Sequence, residues 1–346
     1  MMWSRRRALV GLSCICATAC EGTDPRPRVA SEPLPPRRRT VTKGELPGEH
    51  HHAALGSLDE LAPELRRVFT DVRGFSPLPA PKRTGWRAVR PEPAQDVESF
   101  LASAPNLVEA PREHLVLLPL GNFPFDVIEG RDFVGLVRTP ELDDLAELVG
   151  AFFGLPADVL PQGELHTDEL PAREVPSGLQ LDVHGVLELA STTLPAGAYG
   201  MLALVNQDLF AWPEQQFAFG YSTHTDRVGV MGFSRFDPSF YGGARPDDLA
   251  GAVLRRSARV LLHETAHLFG MRHCQYFRCL LNGVADLDEL DDVPLHLCPV
   301  CLRKLHLATG NDPRDRYLAL LPVLQRLGLF EELAWTRTRL QRILSA

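Results

Sequence analysis

His263, Glu264, His267 and His273 have the residue types and spacing of a metal-dependent hydrolase. Two histidines four apart leave the same face of a helix, about one turn from each other. Their neutral ring nitrogens can then take adjacent corners of a tetrahedral zinc ion at about 2.0–2.1 Å. Glu264 follows the first ligand and can project toward the open coordination position. A carboxylate there can take a proton from water, whose pKa zinc lowers to about 7, and return it to a leaving amine. Gly270 lies three positions after His267 and tolerates positive φ, so the chain can turn and bring His273 back to the ion. Three neutral histidines leave the ion its full charge and a fourth position for water, which is a catalytic ligand set.

The cysteines point to a second site. Cys14, Cys16 and Cys20 lie near the start, the 253 residues after Cys20 hold none, and Cys274, Cys279, Cys298 and Cys301 cluster directly behind His273. A secreted disulfide scaffold spreads its cysteines through the fold. The pairs Cys274-x4-Cys279 and Cys298-x2-Cys301 resemble zinc knuckles, and four thiolates make a closed structural zinc site. Two disulfides are the alternative, and zinc is favoured. Two zinc ions per chain are therefore expected. The acidic run Asp286, Asp288, Glu289, Asp291 and Asp292 between the pairs reads as a solvated excursion, and His296 and His306 are not needed as ligands.

These groups need elements to hold them. A helix is expected from Pro246-Asp247-Asp248 to Phe269, with an apolar stripe through Leu249, Val253, Leu254, Val260 and Leu261 and a stop at Gly270. Strands are expected at Leu115–Leu118, Tyr199–Val205, Phe217–Thr223 and Val228–Phe233, with Asp226-Arg227 as a hairpin tip. Helices are expected at Ser57–Phe69 with Ser57 as N-cap, from Thr139-Pro140 through Phe153, at Gly178–Ala190, and on both sides of Gly328 after Asp315. His184 reads as a packed histidine. The fold class is mixed α/β (α+β). A substrate is expected along a sheet edge such as the strand Phe217–Thr223, although the sequence does not fix which strand is the edge.

Residues 1–20 have a basic start (Arg5, Arg6, Arg7), a short apolar run and Ala17-Thr18-Ala19-Cys20, which resembles a lipobox with Cys20 as the lipidated residue. An ordinary signal peptide is the alternative. Residues 21–52 are rich in proline and arginine and read as a tether, with His50-His51-His52 an exposed triplet at its end. Residues 53–346 are expected to form one domain. The expected setting is an exported bacterial lipoprotein (periplasm or outer membrane), or a secreted protein, with Cys20 as the only membrane contact. The net charge of −8 argues against a nucleic-acid partner, and no apolar run is long enough to span a bilayer. A monomer is expected.

The stretch His263 to Cys301 resembles the archaemetzincin family of metallopeptidases. The family pattern joins HExxHxxGxxH to an adjacent cysteine, a second cysteine five residues on, and CxxC. His263, Glu264, His267, Gly270, His273, Cys274, Cys279, Cys298 and Cys301 match it. The resemblance implies a metzincin-like zincin domain with active-site and C-terminal helices. It also implies a catalytic zinc on the three histidines, Glu264 as general base, and a four-cysteine zinc. The implied partner is a peptide or protein substrate, cut as an aminopeptidase or an endopeptidase. The family's Met-turn methionine is Leu281 here, a volume-conserving exchange that usually costs under about 1.5 kcal/mol. The alternative function is a catalytically silent, zinc-stabilised surface module.

Overall fold

A computed structural model of the chain describes residues 47–130 and 133–345. The lipobox-like segment 1–20 with Cys20, and the tether up to residue 46, lie outside the described residues.

Four short helices come first: α1 (Pro47–Ala54), α2 (Pro63–Thr70), α3 (Trp86–Val89) and α4 (Val97–Ala102). Strand β1 (His114–Leu120) follows, then a hairpin of β2 (Phe125–Gly130) and β3 (Phe133–Arg138), helix α5 (Leu142–Phe153) and the short β4 (Ala157–Val159). After them run β5 (Ala172–Val175), β6 (Gly178–Asp182), α6 (Val183–Thr193), β7 (Ala198–Val205), β8 (Asp208–Phe210), β9 (Gly220–Thr223) and β10 (Val228–Gly232). The long α7 (Leu249–Leu268) and α8 (Leu287–Asp292) precede a C-terminal layer of α9 (Pro299–Thr309), α10 (Pro313–Arg326) and α11 (Phe330–Leu344).

The main sheet has the order β4-β1-β7-β10-β9, parallel except for β9. Its inner strands are nearly unbroken apolar runs because both faces are covered. Side chains alternate across the sheet, so Leu115, Leu117, Leu202 and Leu204 pack toward α5 and α7. Val116, Leu118, Met201, Ala203 and Val205 pack toward α6 on the other face. The antiparallel pairing Val228↔Thr223 closes the expected hairpin over Asp226-Arg227, and the strand order, which the sequence does not fix, puts β9 at the sheet edge.

Four expectations change. Residues 178–190 are a strand and then a helix, because Leu179 and Leu181 pair with β5 and β8 while the Asp182 side chain caps α6 at the His184 N–H. Tertiary pairing overrides the helical periodicity there. The side chain of His184 is 55% exposed, not packed, and its Nδ1 lies 2.8 Å from Asp182 Oδ1. The first of the expected helices begins at Pro63 rather than Ser57, since proline fits a first helical turn and holds Ala62 extended at ψ 147°. Ser57 instead bonds Asp59. Similarly, α5 starts at Leu142, two residues after Pro140.

The histidine triplet also differs. His51 is 1% exposed in α1, its ring edge-on to Phe277 at 5.5 Å, and neither ring nitrogen has a hydrogen-bond partner. Burial, and secondarily His52, lowers its pKa from 6.5 to about 4. The unfolded chain therefore takes up this proton first as pH falls. The stability tied to the neutral ring is whole above pH 6.5 and is lost as pH drops through 4. His51→Phe is expected to raise the urea midpoint at pH 7 and to raise it further at pH 5; an equal gain at both pH values would refute the titration.

Candidate metal centres

Helix α7 runs twenty residues from its Asp248 cap, whose side chain accepts from Gly251 N–H. His263 and His267 leave one face of it with ring centroids 4.6 Å apart. The helix ends at Leu268, and Gly270 at φ +85° turns the chain back. His273 thereby comes to 5.1 Å from both rings. The sequence-predicted triad is assembled.

The outward nitrogen of each ring faces an acceptor. His263 Nδ1 donates to Leu280 O at 2.9 Å, His267 Nδ1 to Met271 O at 2.6 Å, and His273 Nδ1 to the Glu92 carboxylate at 2.7 and 2.9 Å. These acceptors hold no proton to give, so each ring carries its own proton on Nδ1 and turns a lone pair inward. Burial, then the neighbouring histidines, holds the His263 pKa well below 6.5 and brings His267 to about 4. Yet His263 Nε2 and His267 Nε2 stand 3.0 Å apart. Two bare lone pairs at that distance repel unless a cation lies between them and His273. The three donor atoms lie within 4.8 Å of one another, so the set fits a zinc ion.

Glu264 is buried beside this set, and its Oε2 accepts from Ser222 Oγ of β9 at 2.8 Å. Burial pushes its carboxyl up to about 8, with the Ser222 bond working the other way. Gly220 on the same strand makes this approach possible. A Cβ there would stand 2.7 Å from Glu264 Cγ and 2.8 Å from Val230 O.

The four cysteines form the second set, all buried and within 4.8 Å of one another. Cys274 Sγ and Cys298 Sγ are 3.5 Å apart, far beyond a disulfide bond, and all four are free thiols. Burial pushes the Cys279 and Cys298 thiols up. It also opposes ionisation of Cys274, but hydrogen bonds from the other three win and hold that thiol well down. Such a cluster cannot ionise together without a cation, which is the chemistry of a closed zinc site. Asn282 closes the first knuckle by accepting from Cys279 N–H at 2.9 Å and donating to Cys274 O and Phe277 O. Leu281, in the Met-turn position, is fully buried, and its carbonyl takes the Cys274 N–H at 2.7 Å.

Sequence reasoning missed Ser222, Glu92, Trp86 and Gln95, which stand far from the motif in the chain. Trp86 Nε1 donates to Glu92 Oε1 at 2.8 Å, and its ring meets His273 edge-on. Gln95 accepts from Arg272 N–H at 2.9 Å and donates to Gly270 O at 3.1 Å, so it clasps the turn between the second and third histidines. The acidic run is not a free excursion either. Asp291 makes a two-point pair with Arg256, and Glu289 Oε2 accepts from Trp86 N–H and Ala285 N–H. His296 stacks on Trp335 and His306 bonds Asn311 O, so neither joins the cysteines.

Residues 196–307 match the model of Peptidase family M54. The resemblance is to the archaemetzincins. Archaemetzincin-1 of Rattus norvegicus is 34% identical over 272 residues, covering 70% of this chain and 52% of that protein. Archaemetzincin-2 of the same organism is 27% identical over 276 residues, covering 71% and 74%. The chain thus spans about half the length of archaemetzincin-1. A crystal structure of Archaemetzincin from Archaeoglobus fulgidus aligns at 19% identity and a TM-score of 0.42 over 55% of this chain and 99% of that one. The archaemetzincin resemblance covers the whole motif from His263 to Cys301.

Gly220→Ala tests the tight seat of Glu264. The added methyl must displace β9 or the carboxylate, and a loss of about 1–3 kcal/mol in urea unfolding is expected. A variant as stable as the parent would show that the strand yields freely.

Proposed function

We propose that the chain is a zinc metallopeptidase. His263, His267 and His273 hold the catalytic zinc, and Cys274, Cys279, Cys298 and Cys301 hold a structural one. The observation that carries this reading is the convergence of three inward-facing Nε2 atoms beside a buried carboxylate hung from the edge strand. When bound, zinc supplies Lewis acidity, lowering the pKa of water to about 7 and polarising a carbonyl oxygen.

The chain's own residues do the rest. Glu264, next to His263 in α7 and hydrogen-bonded by Ser222 of β9, is the general base. It accepts the proton of the attacking water at a carboxylate oxygen and later passes it to the departing amine. Burial raises its proton affinity above that of a free carboxylate, which suits a group that must both take and give a proton. Among the described residues strand β9 pairs only with β10 within the sheet, so an extended peptide can add along its outer edge and lay its backbone past Glu264. The substrate class is therefore an extended peptide, cut as an aminopeptidase or an endopeptidase. Export through the 1–20 segment stays part of this proposal and rests on the sequence.

Glu264→Gln preserves shape and hydrogen bonding to Ser222 but removes the base. Peptide hydrolysis should fall roughly 10²–10⁴-fold at unchanged zinc content. Undiminished cleavage by this variant would end the mechanism, whereas a zinc-loaded parent that cleaves no peptide would leave the silent surface module. Metal analysis should return two zinc equivalents in the parent, one in His267→Ala, and fewer than two with a sharp loss of stability in Cys279→Ser. Cysteine titration showing two disulfides instead would remove the second site. Digestion of blocked and unblocked peptide libraries separates the two modes of cleavage.

A further inference from the structure

His263 and His267 take their outer hydrogen bonds from backbone carbonyls within the motif region, Leu280 O and Met271 O. His273 differs. Its Nδ1 is met by a charged side chain 181 positions earlier in the chain, Glu92, which lies between α3 and α4 and outside residues 196–307. Both carboxylate oxygens are in reach, at 2.7 and 2.9 Å. Glu92 is itself fixed. Trp86 Nε1 donates to its Oε1 at 2.8 Å, while Trp86 N–H is anchored to Glu289 Oε2 at 3.0 Å. Three residues on, Gln95 holds the backbone of the same arm at Gly270 and Arg272. One segment therefore grips both the side chain and the main chain of the third histidine's arm.

That arm needs a grip. His263 and His267 ride on a hydrogen-bonded helix, but His273 follows a glycine turn and has no secondary structure of its own. An unsupported imidazole there is free to rotate and to move its proton to Nε2, and either change removes it as a ligand. A carboxylate on Nδ1 fixes the tautomer and aims Nε2 inward.

We propose that Glu92 is the positioning residue for the third zinc ligand, held in place by Trp86. The inference rests on the zinc reading of the three histidines. It predicts that the histidine site loses its affinity for zinc when Glu92 is removed, while the cysteine site does not.

The test uses the full chain and zinc alone as probe, with affinities read by competition against a chromophoric chelator. Glu92→Ala should weaken the histidine site about 10–100-fold and leave the cysteine site at parental affinity, which also reports that the variant has folded. Glu92→Gln retains an oxygen acceptor for Nδ1–H and should recover most of the loss. Trp86→Phe, which keeps a ring but frees Glu92, should show a smaller weakening. With cobalt in the histidine site, Glu92→Ala should change the visible d–d spectrum, a readout that a merely structural role would not move. Parental affinity and an unaltered spectrum in Glu92→Ala would overturn the proposal. A parent whose histidines bind no zinc would overturn the zinc reading as well, so the two failures are told apart by the parent alone.

Discussion

Two imidazole nitrogens, each with its proton on the far side of the ring, face each other at 3.0 Å across His263 and His267. That contact is unfavourable by itself, and much of the surrounding structure serves to maintain it. Carbonyls of Leu280 and Met271 pin the outer nitrogens, and burial denies the rings the protons that would turn repulsion into a hydrogen bond. Folding thus stores an arrangement that only a cation makes comfortable. This is how a binding site differs from a packed cluster of histidines: its polar atoms are satisfied everywhere except where the ligand belongs.

The two candidate metal centres share backbone. The turn 279–282 presents Cys279 to one centre and, through Leu280 O, orients His263 in the other. Cys274 directly follows His273 and is tied back to Leu281 O. A shift at the cysteines therefore moves the ends that position two of the three histidines. The side chain of Leu281 is buried inside this joint as packing, and its backbone carbonyl holds the Cys274 N–H.

The edge strand sets the character of the carboxylate. Ser222 gives Glu264 one hydrogen bond and Gly220 lets the chain lie against it without a side chain between. Burial and that bond pull its pKa in opposite directions, and burial prevails. The same strand stands at the end of the sheet order among the described residues.

Much of this was legible in the sequence, because the information is local. The spacing of four between His263 and His267 fixes a shared helical face, Gly270 permits the turn, and the paired cysteines read as knuckles without any knowledge of the fold. Runs such as β1 and β7 also declare themselves, since a strand buried on both faces must be apolar throughout. Other features were decided only when distant segments met. Residues 178–182 became a strand because β5 and β8 offered pairing, against their own helical spacing. His51 was buried by Phe277, and the acidic run was claimed by Arg256 and Trp86. Glu92, Gln95 and Ser222 carry no motif, because a hydrogen bond across the fold depends on where two chains lie in space and leaves no spacing to read. The chain by itself pointed to the candidate metal-ligating groups through their local spacing; the tertiary structure decided what holds them in place.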